Sequence, residues 1–203
     1  MIDIKNHHGE IARAIRNKRF ERTDDGRILI ASAGLFIGGA LKVKDYRDGS
    51  DQLAAIDANM LLDEGINHIL NVTLPPAGGY AQITQWYFAP FSGNYTPDPT
   101  HDASELPTAS TEFTAYTSTT RLPLNIQNLA TAKTTGNTGN EVQLIFNAGG
   151  PYHIYGCNIV SASAKGSTTG KALASVRLAS PKLGLTGGEK IGLEYVLSAA
   201  DAG

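Results

Sequence analysis

From Ile66 onward the chain alternates short apolar runs with turn-forming clusters. The alternation is clearest near its end, where Ile191, Leu193, Tyr195 and Leu197 fall on one side of an extended segment and Gly192, Glu194 and Ser198 on the other. Val142, Leu144 and Phe146 repeat the pattern. The same reading predicts strands over residues 66–74, stopped by Pro75-Pro76, and over 82–88, 112–116, 152–161 and 172–178. Gly78-Gly79 reads as a hairpin loop between the first two, and the Pro- and hydroxyl-rich stretch 92–110 as a loop running over the surface. Some seven half-buried strands fit two sheets that bury their apolar faces against each other.

The first 65 residues have a different texture. Ile11 and Ile15 stand four apart within a basic segment, which predicts a short amphipathic helix over residues 10–22. Asp24-Asp25-Gly26 supplies a turn, and Ile28, Ile30, Leu35 and Ile37 are possible strand positions in a Gly-punctuated apolar stretch. Leu53, Ile56, Met60 and Leu61 then recur at helical spacing behind an Asp48-Gly49-Ser50 cap, with Gly65 as the residue that closes the helix. The expected architecture is mainly β: an antiparallel β-sandwich, jelly-roll or Ig-like, over residues 66–203, with residues 1–65 as an N-terminal helical or extended arm.

Composition supports that reading. The 203 residues include 22 Gly and 9 Pro with 18% charged side chains, which suits short strands joined by turns. The net charge of −2 gives no global reason to expect nucleic acid or an anionic membrane as partner, and no apolar run has the length of a membrane-spanning helix. The charge is uneven, however. Arg13, Arg16, Lys18, Arg19 and Arg22 against Glu21 give +4 between residues 11 and 22, and the total of −2 therefore leaves −6 for the rest. A basic arm on an acidic body predicts a partner-binding element in which Arg13, Arg16, Arg19 and Arg22 meet acidic groups and Ile11 and Ile15 are buried in the contact.

Catalytic and metal-binding patterns are not found in the sequence. A single cysteine, Cys157, rules out an intrachain disulfide and reads as a small core residue, lying mid-strand beside Gly156. His7-His8 cannot share one helical face, and His68, His101 and His153 are scattered. An ion-binding loop starting at Asp45 would need an acid or amide where Arg47 stands. No nucleophile elbow and no phosphate-cradling Gly loop occurs. Asp98, Asp102 and Glu105 share one loop, the one place where paired carboxylates could support a depolymerase. The expectation is a protein without enzymatic activity, cofactor or metal.

Several fragments, in order, resemble a family of tailed-phage virion proteins, the capsid decoration or cement proteins. They are Asn71-Val72-Thr73-Leu74, Gln85-Trp86-Tyr87-Phe88-Ala89-Pro90-Phe91, Glu112-Phe113-Thr114-Ala115-Tyr116, Thr119-Thr120-Arg121-Leu122-Pro123, Ile154-Tyr155-Gly156-Cys157, and the closing stretch from Gly187 through Lys190 and Glu194 to Leu197. The resemblance covers residues 66–197. It implies a β-sandwich on the exterior of a capsid, made in the host cytoplasm. Its expected partners are the major capsid protein and further copies of itself in a trimer or other symmetric oligomer, with no nucleic acid or membrane. The alternative is a receptor-binding or fibre-tip protein whose loop 91–116 recognises a host surface glycan.

Overall fold

The computed structural model describes residues 21–22, 28–30, 35–47, 53–126 and 133–201. The chain is mainly β and forms two antiparallel sheets. The larger sheet is built on strands β3 (Leu35–Asp45) and β12 (Lys190–Asp201), which pair without interruption from Leu35↔Asp201 to Asp45↔Ile191. Outside β3 lie β2 (Ile28–Ile30), followed by β1 (Glu21–Arg22), and β4 (Leu53–Ala58). Outside β12 lie β8 (Thr134–Gly136) and β9 (Val142–Ile145). The smaller sheet runs in the order β5 (Met60–Leu61), β11 (Ala172–Leu185), β10 (Tyr152–Val160), β6 (Trp86–Phe91) and β7 (Leu122–Leu124).

The alternating pattern of the sequence generates the core directly. Leu41 and Val43 of β3, Leu144 of β9, and Ile191, Leu193 and Tyr195 of β12 meet Trp86 and Phe88 of β6, Ile159 of β10 and Val176 of β11 in one cluster. Each such side chain contributes about 1.5–3 kcal/mol by leaving water. Cys157 belongs to this cluster and is 1% exposed, and burial pushes its thiol far above the ordinary value.

Four expectations need correction. The helix expected from Leu53 to Leu61 is strand instead, because β3 offers an open edge and pairs Ala40↔Ala58 through Lys44↔Leu53. Apolar spacing that suited a helix face is overridden there by a ladder of backbone hydrogen bonds, and Ile56 is left 56% exposed. Conversely, residues 66–74 are not a strand but most of helix α1 (Asp63–Thr73). Ile66 and Ile69, three apart, turn to the core, Asp63 and Glu64 occupy the first turn, and the chain leaves the helix ahead of Pro75-Pro76. Gly65 lies inside that first turn rather than closing an earlier helix. Residues 112–116 make only isolated bridges, Phe91↔Glu112 and Tyr116↔Phe146. Finally, the sandwich does not begin at Ile66, because β3, from the segment assigned to the arm, is central to the larger sheet.

The basic helix falls almost wholly outside the described residues. Its last two positions, Glu21 and Arg22, are strand β1, paired with Leu29 and Ile28.

Candidate binding pocket

Helix α1 packs against β11, and Gly65 is the residue that lets it close on that strand. A Cβ at that position would stand 2.3 Å from the carbonyl oxygen of Leu173. Glu64, in the same turn, accepts hydrogen bonds from the backbone N–H of Ala172 at 2.7 Å and of Ala103 at 3.0 Å, and pairs with Lys171 Nζ at 2.9 Å. The helix is thus fixed at its N-terminal end to β11 and to the loop beyond.

One to two turns further on, His68, Ile69, Val72 and Thr73 line a pocket of about 230 Å³. The facing walls come from both sheets: Trp86, Leu124 and Leu173 from the smaller, Thr135, Gly136, Tyr195 and Leu197 from the larger. Gln82 and Ile83, on the approach to β6, and Ile126, just past β7, complete it. No carboxylate, ammonium, guanidinium or thiol lines the pocket among the described residues. Around its mouth stand three exposed apolar side chains: Leu74 next to Thr73, Tyr80 against His68, and Ile126.

His68 is the polar centre of this region. It is 5% exposed, its ring stands edge-on to Trp86 at 5.5 Å and 77°, and Nδ1 lies 3.4 Å from the Tyr80 hydroxyl. Burial, helped by the positive charge of Lys171, holds its pKa below the ordinary 6.5, so the imidazole is neutral at pH 7. The Tyr195 hydroxyl is already engaged, accepting from Asn59 Nδ2 at 2.5 Å, and burial raises its pKa far above the usual phenol value. The arrangement offers an apolar recess with a neutral hydrogen-bonding edge, which is a binding chemistry.

The second surface of interest is the loop expected to run freely over the outside. It is instead a packed third layer. Tyr95, Ala103 and Leu106 lie against Ala89, Phe91 and Val160 on the outer side of the smaller sheet, and Leu106 opens a one-turn helix, α2 (Leu106–Ala109). Beneath it, Asn158 donates from Nδ2 to Ser110 Oγ at 3.0 Å and accepts from Ser175 Oγ at 2.7 Å. The three acids of this loop serve its turns. Asp98 Oδ1 accepts from Thr100 N at 2.9 Å, Asp102 Oδ1 from Ser104 N at 2.8 Å, and Glu105 Oε2 from Asp102 N at 3.2 Å. Arg177 bridges to Asn94 Oδ1 and Thr96 Oγ1, tying the start of the loop to β11.

Of the residues expected to bind a partner, Ile11, Arg13, Ile15, Arg16 and Arg19 lie outside the described residues, and Arg22 is placed in β1. Sequence reasoning missed the pocket because it treated His68 as an isolated histidine in a strand. On a helix His68 and Val72 stand four apart and Ile69 and Val72 three apart, and that spacing was the available signal. No family model, curated protein or solved structure matches the chain.

Proposed function

We propose that the protein is a non-enzymatic structural subunit of a tailed-phage particle that decorates the capsid and stabilises it by bridging major capsid protein subunits. The observation that carries this reading is where the family-like fragments fall. Trp86 and Phe88, Phe113 and Tyr116, Leu122, Ile154 and Cys157, and Ile191, Leu193 and Tyr195 belong to a single core cluster. Fragments scattered over more than a hundred residues of sequence thus act as one structural unit, as a shared domain requires. Ionic groups nearby are occupied in joining segments: the buried pair of Arg121 and Glu112, and half-buried Glu64 with two backbone amides and Lys171.

Function in this reading is binding energy alone. A ligand that binds only the assembled shell stabilises it by mass action, and many copies multiply the effect. Self-association matches a local symmetry axis of the lattice. The basic segment, with Arg13, Arg16, Arg19 and Arg22 flanking Ile11 and Ile15, supplies the contact to acidic groups of the partner. The test is to add purified protein to capsids that lack it and count bound copies by quantitative mass spectrometry and particle imaging. Hundreds of copies per particle are expected. A few copies at the tail or vertices would replace decoration by the receptor-binding role, and no attachment would end both readings.

A further inference from the structure

We propose that the pocket lined by helix α1 and residues of both sheets is a binding site for a small neutral ring compound bearing one hydroxyl, a monocyclic phenol being the simplest member. Size sets the first limit. An apolar cavity of about 150 Å³ admits benzene, so about 230 Å³ accommodates a substituted single ring.

The walls set the chemical class. Ile69, Val72, Ile83, Leu124 and Leu197 are aliphatic, and Trp86 adds an aromatic surface suited to edge-to-face or offset contact with a ring. Because no ionic side chain lines the pocket among the described residues, a charged ligand would lose its hydration without a compensating partner, and a neutral one is selected. The hydroxyl is selected by His68. Its Nδ1 faces Tyr80, and its Nε2 has no hydrogen-bond partner among the described residues. A hydroxyl can donate or accept, so it satisfies either tautomer of the neutral imidazole.

The mouth is consistent with a ligand that enters from solvent. Among the described residues, five large hydrophobic side chains are exposed, and three of them, Leu74, Tyr80 and Ile126, adjoin this pocket. Apolar surface concentrated in this way marks an entry or contact site. The inference is independent of particle attachment, since the two are measured on different partners.

Trp86, the only tryptophan, is a built-in reporter. p-Cresol, toluene and N-acetyltyrosinamide are titrated into the full-length protein, read by Trp86 emission and by calorimetry. p-Cresol should bind saturably with a Kd of roughly 0.1–1 mM, the range open to a ligand of that size. Toluene, which lacks the hydroxyl, should bind about two- to tenfold more weakly. Val72→Trp, on the half-buried helix side of the pocket, should weaken p-cresol at least tenfold. If that variant does not fold, methyl NMR of the unmodified protein replaces it, with shifts expected at Ile69, Val72 and Leu124. The proposal is overturned by an absence of saturable p-cresol binding, by toluene binding as tightly as p-cresol, or by shifts located elsewhere. Tighter binding of N-acetyltyrosinamide would reassign the pocket to a partner's tyrosine side chain and overturn it equally.

Discussion

The guanidinium of Arg121 grips the carboxylate of Glu112 with two parallel hydrogen bonds, Nε to Oε1 at 2.9 Å and Nη2 to Oε2 at 2.6 Å, while the two side chains are only 2% and 3% exposed. Arg121 also donates to the carbonyl oxygens of Ala162 and Ser167 at 3.0 Å each. One side chain therefore holds three loop segments together out of water. Arg121→Ala would leave the Glu112 carboxylate buried without its partner and should cost about 3–5 kcal/mol. Arg121→Met combined with Glu112→Leu should recover much of that loss. Chemical denaturation of the three proteins measures both effects. A cost under about 1 kcal/mol for Arg121→Ala would mean that water reaches the pair.

His68 makes stability depend on pH. Its folded pKa lies below 6.5 through burial, so the unfolded chain binds the proton more readily. Unfolding takes up a proton in that window, and stability is complete above pH 6.5 and declines as pH falls through it. The melting temperature of the wild type should therefore drop between pH 7.5 and 5.5 by more than that of His68→Gln. Parallel pH profiles for the two proteins would remove His68 from the account.

At Gly65 the constraint is space. An added methyl would meet the carbonyl oxygen of Leu173 at 2.3 Å and its Cα at 2.7 Å, backbone atoms that cannot turn aside. Gly65→Ala, which would improve an unpacked helix, should here destabilise by about 1–3 kcal/mol through overpacking. A denaturation midpoint at or above wild type would show that the helix can lift from β11 without loss.

If the arm supplies the contact to capsid, Arg16→Glu with Arg19→Glu should weaken attachment, and rising salt should weaken the wild type in the same direction, since screening acts on exposed pairs. A chain starting at Ile28 lacks β1, whose only partner among the described residues is β2, and should melt close to the full-length protein while binding less. Particle sedimentation with densitometry reads the occupancy. Equal occupancy for all three proteins at low and high salt would discard the arm.

How far the sequence could be read depended on the range of the interactions involved. The strands carrying Ile191, Leu193 and Tyr195, or Val142 and Leu144, announce themselves by alternation, because each turns its apolar face to the core, even though Glu194 on the other face of its strand is itself only 7% exposed. Residues 53–61 and 66–74 exchange type between expectation and structure, and both differences have one source. Ala55 packs on the core while Ile56 is exposed, an assignment imposed by the free edge of β3 and invisible locally. Ile66 and Ile69 suit a strand as well as a helix until Gly65 is seen against Leu173. The pocket was hidden for the same reason: His68 and Trp86 meet only after the helix has packed against β11.

The pairing of β3 with β12 has a consequence for how the chain is made. Ser198 Oγ donates to the carbonyl oxygen of Gly38 across a separation of 160 residues. The smaller sheet has at its centre two strands that follow one another in sequence, β10 and β11, whereas the larger has no centre until both distant strands exist.

 The β10–β11 ladder needs only the short connection between Val160 and Ala172. Closing the far longer loop between β3 and β12 costs more chain entropy before any contact repays it. During synthesis, therefore, β3 stays without its central partner until the residues from Lys190 onward emerge. Until then its edge is open to the same strand of a neighbouring nascent chain.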